Sequence, residues 1–112
     1  MAEGMLIVQT EPRPGAEADF NAWYDDVHLP EVLTTPGFTG ARRFRTLDSP
    51  FATGGDGALL KYVAIYDVAG LDLIAAHAAL LARIRAGELT NSDTVVAETY
   101  RSQLFEQIAT RP

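Results

Sequence analysis

The stretch LLKYVAIYDVAGLDLIAAHAALLARIR, residues 59–85, changes its hydrophobic period once, and that change decides the fold. From Leu59 to Val68 the chain alternates, with Leu60, Tyr62, Ala64 and Tyr66 opposite Lys61, Val63 and Ile65, the two-residue period of a β-strand. Both sets are largely apolar, so both faces of this strand are expected to be covered. From Gly70 to Arg85 the period lengthens: at about 100° per residue, Leu73, Ile74, His77, Leu80, Leu81 and Ile84 fall in one stripe of an Ala- and Leu-rich helix. Gly87 follows as a stop. A strand feeding directly into a helix with a single apolar stripe points to a sheet with helices packed on it.

Working outward, Phe38 to Leu47 reads as a strand with Phe38, Gly40, Arg42, Phe44 and Thr46 on one face and Ala41, Arg43, Arg45 and Leu47 on the other. Asp48 to Gly57, dense in Ser, Pro, Gly and Asp, is expected to be the hairpin loop that follows. Its Gly54-Gly55-Asp56-Gly57 run joins two strands and opens no helix, so it is no phosphate cradle. Met5 to Thr10 is an apolar strand ended by Pro12, Pro14 and Gly15. From Ala16 the pattern is helical, with Phe20, Trp23, Tyr24 and Val27 in one stripe; Pro30 is expected to stop this helix near His28 and leave an irregular segment to Gly37. Glu88 to Glu98 is a connector. Thr99 to Ile108 closes the chain as a fourth strand, with a helical alternative left open by its Glu and Gln content.

The order is therefore βαββαβ, an α+β domain over residues 1–112 with a four-stranded antiparallel sheet and both helices on one face. The length of 112 residues suits one core, and 47% hydrophobic against 21% charged residues is a globular balance. A net charge of −6 disfavours nucleic acid and anionic membrane surfaces. No apolar run is long enough for an export signal or a membrane span. The absence of cysteine excludes disulfides, thiolate nucleophiles and cysteine-held metals, and suits the cytoplasm.

With both helices on one side, the other sheet face is bare. Four strands spaced by roughly 4.8 Å give it about 400 Å² in projection. Covering an apolar face of that size favours association by on the order of 10 kcal/mol before association entropy, so a homodimer is expected.

The run Phe20-Asn21-Ala22-Trp23-Tyr24-Asp25-Asp26-Val27-His28-Leu29-Pro30-Glu31, with Pro36-Gly37-Phe38 and Ala41-Arg42-Arg43-Phe44, resembles the EthD-like branch of the dimeric α/β-barrel superfamily. The resemblance spans nearly the whole domain. It implies ferredoxin-like protomers whose sheets face each other in a dimer, with a pocket between sheet and helices or within the barrel. The superfamily includes monooxygenases, isomerases, polyketide cyclases, dehydratases, haem-using enzymes and members with no known activity.

Two histidines are available for chemistry. His28, one turn after Tyr24 at the expected helix end, is suited to proton transfer near neutrality, where a helix C-terminus would favour its charged form. It would equally serve as a cap that fixes the Pro30 turn. If catalytic, it should face a cavity with one nitrogen free and the other held by a backbone carbonyl or carboxylate. His77, mid-stripe on the second helix, is expected to hydrogen-bond toward the sheet. Asp25 and Asp26 lie off the stripe and read as solvated, so no metal site is expected. Trp23, Tyr24, Phe44, Tyr62, Tyr66 and Tyr100 are candidates to line a pocket for a flat aromatic ligand, with Arg43 to hold an enolate or carboxylate; packing and ion pairing are the plain alternatives. The expected function is a small cofactor-independent enzyme acting on an aromatic or polyketide-like carbonyl compound, or a binding protein with the same cavity. No dinucleotide fingerprint or multi-histidine cluster calls for a cofactor.

Overall fold

The computed structural model describes residues 1–53 and 60–112. Its elements are β1 (Ala2–Pro12), α1 (Glu17–Trp23), a π-helical segment (Tyr24–His28), α2 (Leu29–Val32), β2 (Phe38–Arg45), β3 (Tyr62–Gly70), α3 (Leu73–Arg85) and β4 (Val95–Glu106). The strands form one antiparallel sheet in the order β2-β3-β1-β4. This is the ferredoxin-like βαββαβ fold, as expected. The glycine run of 54–57 and the start of the third strand at Leu59 lie outside the described residues.

Alternation along the two central strands defines the layers. Leu6, Val8 and Thr10 of β1 and Tyr62, Ala64, Tyr66 and Val68 of β3 are buried beneath the helices, where Phe20, Tyr24, Val32, Leu73 and Leu80 join them in the core. Ile7, Val63 and Ile65, on the opposite face, are only half-buried. In the single chain, then, β3 is fully covered on one face and not on both.

The first helix does not stop at His28. It passes through a π-helical turn, in which the Leu29 N–H reaches the Tyr24 carbonyl five residues back, and continues as α2 to Val32 with Pro30 inside it. A proline ring clashes with the carbonyl four residues before it in a regular α-helix. Widening the turn just ahead of Pro30 eases that clash, which is why the proline does not end the helix.

A second departure lies in β2. Phe38 pairs with Val68 but Gly40 with Asp67, so Thr39 is an extra residue, a β-bulge. The bulge flips the parity: Phe38 is buried on the covered face together with Ala41 and Arg43, not with Gly40, Arg42 and Phe44. Gly37, just before it, has φ +95° and lies so near the Ala69 carbonyl and the Ala76 methyl that an added Cβ would stand 3.2 Å from each.

Asp72 caps α3, its carboxylate accepting the Ala75 N–H at 3.0 Å. Leu73 and Leu80 are buried as expected, but Ile74 is 74% exposed, because the packed stripe runs instead through Ala76, Leu80 and Ile84. β4 is a strand along its length and starts four residues before the expected Thr99. Thr99 spans the irregularity between Gln9 and Glu11 of β1, its hydroxyl accepting the Glu11 N–H and donating to the Val96 carbonyl.

Candidate functional site

Between the covered sheet face and the helices lies a cavity of about 430 Å³. β1 and β3 supply its floor through Leu6, Val8, Thr10 and Tyr66. The first helical arm contributes Trp23, Tyr24, His28 and Val32, α3 contributes Leu80 and Ile84, and the remaining wall is the connector from Leu89 to Ser92 with Val95, Ala97 and Tyr100. Of the residues expected at the site, His28, Trp23, Tyr24, Tyr66 and Tyr100 line this cavity.

The π-helical turn sets the position of His28. Residues five apart in an α-helix point about 140° away from each other. In the wider turn Trp23 and His28 instead stack, with ring centroids 4.4 Å apart and planes 21° from parallel, while Tyr24 meets His28 edge to face at 5.1 Å. The His28 Nδ1 is shielded from solvent and has no hydrogen-bond partner among the described residues. Burial lowers the pKa of His28 to about 4, only partly opposed by the charge of Glu31. The ring is therefore neutral at pH 7, contrary to the cationic state expected of a helix end; the helix continues past it, so there is no open C-terminus to favour the charge.

The carboxylate expected behind His28 is engaged elsewhere. Glu31 accepts the Thr90 N–H at 2.9 Å and the Thr90 hydroxyl at 3.2 Å, bonds that hold it below the ordinary carboxylate range. The Trp23 indole N–H donates to the Thr90 carbonyl at 3.2 Å. Thr90 is thus held on three sides by the first helical arm, and the connector becomes a fixed wall. Nothing in the polar run Glu88 to Asp93 signals this, because the partners lie about 60 residues away.

On the cavity floor, Tyr66 is 1% exposed and its hydroxyl has no partner among the described residues. Burial pushes its pKa, and that of Tyr24, upward, so both remain neutral phenols. The Tyr24 hydroxyl shares a hydrogen bond of 3.2 Å with Thr10.

The other three candidates stand apart from the cavity. Arg43 stacks its guanidinium over Tyr24 at 4.7 Å, Tyr62 at 5.4 Å and Phe20 at 5.6 Å, and donates to Asn21 at 2.8 Å and Asp25 at 2.7 Å. Its hydrogen-bonding capacity is directed to protein groups. Tyr62 donates to Glu17 at 2.6 Å and accepts from Asn21. Phe44 lies on the bare sheet face, 49% exposed. His77 is placed without the expected bond toward the sheet: its Nε2 is buried and unpartnered among the described residues. Among those residues no group of three or more His, Cys, Asp or Glu could hold a metal ion, and no helix is long and apolar enough to cross a membrane.

Three solved structures are similar to this chain over nearly its whole length. A protein of Shewanella loihica PV-4, provisionally assigned as a monooxygenase, is 15% identical with TM-score 0.60 and 98% and 99% of the two chains covered. An ethyl tert-butyl ether D (EthD) family protein of Bacillus halodurans C-125 is 13% identical with TM-score 0.58, covering 96% and 100%. The chain has the EthD-like fold. HapK of Hahella chejuensis, 15% identical with TM-score 0.52 and 100% and 97% covered, shares this EthD-like architecture. No family model matches the chain, and no curated protein matches it by sequence. At these identities the EthD-like likeness is one of fold.

Proposed function

We propose that the protein is a small cofactor-independent enzyme of cyclase, isomerase, dehydratase or monooxygenase type, acting on an aromatic or polyketide-like carbonyl compound, with His28 carrying the proton. The observation that supports this most is that His28, a neutral imidazole at pH 7, lines a mostly apolar cavity of about 430 Å³, a size suited to a small organic ligand. A neutral imidazole accepts a proton from an acidic C–H or O–H of the substrate and returns it to the product. Trp23, Tyr24, Tyr66 and Tyr100 would enclose the ring system. Arg43 and Tyr62 would act one layer out, by bracing Tyr24 and Phe20.

The protein would work as a cytoplasmic homodimer joined through the bare sheet faces. Met5, Phe44 and Phe105 on that face are 36%, 49% and 45% exposed in the single chain. Turnover of a panel of hydroxylated aromatic ketones and polyketide-like diketones, followed by absorbance, tests the enzyme. His28→Ala is expected to lower turnover by about a hundredfold or more while binding persists. A second reading, a binding protein without catalysis, is favoured by one feature: a histidine with pKa near 4 is a weak base with no carboxylate behind it. Saturable binding without turnover across the panel would select it.

A further inference from the structure

Several polar side chains of the cavity lining are already engaged: Thr10 with Tyr24, Thr90 with Glu31, Ser92 with Thr94. Three others, Arg85, Asn91 and Tyr100, are exposed at the rim and make no side-chain hydrogen bond or ion pair among the described residues. Only Arg85 of these is charged. We infer that the cavity takes an amphipathic monocarboxylate, its flat apolar body among the aromatic walls and its carboxylate paired with Arg85 at the rim. This rests on the cavity reading above and adds the head group of its ligand.

The helix sets Arg85 in place. It follows Leu81 by four residues, about 40° round α3, so the two share the stripe that borders the cavity with Ile84. Arg83, two residues earlier, points to the other side, where it donates to Thr34 and Thr35 and pairs with Glu88 at 3.8 Å. Glu88, the acid nearest to Arg85 in sequence, is thus turned toward Arg83.

Charge selects the head group. The chain carries a net charge of −6, yet no Asp or Glu is found among the described residues of the lining, and Arg85 is its single permanent cation. A guanidinium fork matches the two oxygens of a carboxylate. One cation balances one negative charge, whereas a phosphate monoester, close to doubly charged at pH 7, would leave a surplus on an already acidic chain. Arg43, expected to hold such a group, is committed to Asn21 and Asp25, so the role passes to Arg85.

Calorimetric titration at pH 7 and low salt with naphthylacetate and its uncharged amide, naphthylacetamide, tests the inference, since the two differ in charge and hardly in shape. The acid should bind about fivefold or more tightly, against the repulsion of the whole chain, and added salt should narrow the gap because the rim is exposed. Arg85→Gln should bring the acid down to the amide and leave the amide unchanged. Arg111→Gln removes the same charge outside the lining and should leave the ranking as it is. Equal affinities, a tighter amide, a preference that survives in Arg85→Gln, or no binding of either probe overturns the inference. The ranking in the unaltered protein and its salt dependence suffice even where a variant fails to fold. Equal binding of acid and amide alongside turnover of the ketone panel would remove the carboxylate site and leave the enzyme; a preference for the acid without turnover would do the reverse.

Discussion

Trp23 and His28 form a stacked pair, 4.4 Å between ring centroids, inside the one wide turn of the first helix. Trp23 is also the single tryptophan of the chain, so the indole fluorescence comes from the ring that stacks on His28. An imidazolium takes an electron from excited indole far more readily than a neutral imidazole does. Acid quenching should therefore follow His28, with a midpoint near 4 and not near 6.5. His28→Gln should abolish the transition. A midpoint near 6.5, with circular dichroism showing the chain still folded, would show that the ring is solvated.

The same shift makes stability depend on pH. Folded His28 titrates near 4 and the unfolded residue near 6.5, so between those values the unfolded chain binds a proton that the folded chain does not. Stability is full above about 6.5 and declines as pH falls toward 4. Glu17 and Glu31, both lowered on folding, add their own losses only below the ordinary carboxylate value of 4.5. Melting temperatures at pH 7 and pH 5 should differ more in the unaltered protein than in His28→Gln. Equal slopes would contradict this.

Arg43 holds three aromatic rings under one guanidinium, and this should be measurable. Arg43→Lys keeps the charge but loses the flat stacking surface and the paired bonds to Asn21 and Asp25, at a cost of about 1–2 kcal/mol in denaturant unfolding. Asp25→Asn should cost less than about 0.5 kcal/mol, because the Asp25 side chain is 57% exposed and its ion pair is solvated. The reverse ranking would place the stability in the ion pair.

Gly4 on β1 lies against the Phe105 carbonyl and a Leu73 methyl, with no room for a Cβ. Gly4→Ala should destabilise by roughly 1–3 kcal/mol through displacement of β4 and α3. Gly70→Ala, with open space around it, should change stability by less than about 0.5 kcal/mol. Thermal melts of the two variants side by side decide it.

Sedimentation at micromolar concentration should give twice the 12.1 kDa chain mass. Phe44→Glu, placed on the bare sheet face, should yield a folded monomer. A monomeric unaltered protein would remove the reason for so many apolar side chains on that face.

The βαββαβ order and the four-stranded sheet were legible because the two-residue period of β3 and the stripe of α3 each depend on side chains a few positions apart; which face of β3 is covered was not, because both of its side-chain sets are largely apolar. What escaped depended on backbone geometry or distant partners. The bulge at Thr39 reverses the face of Phe38 without altering any local pattern. Pro30 reads as a stop because nothing in the sequence announces a π-helical turn. Trp23, Tyr24, His28, Tyr66 and Tyr100 were readable as a group from residue type. That Arg43 and Tyr62 face Phe20 instead of the cavity, and that Glu31 is held by Thr90, depends on packing between segments far apart in the chain.

A helix that absorbs one additional residue as a π-helical turn keeps the faces before and after it in register. Loss of a residue between Tyr24 and His28 would therefore return the arm to a regular α-helix with the indole and imidazole four apart, still on one side. In evolutionary terms the pair tolerates an insertion or a deletion that a fixed-spacing motif does not. Chains with the same two rings at a separation of four would present the same stacked pair, yet an alignment that insists on five would score them as lacking the histidine.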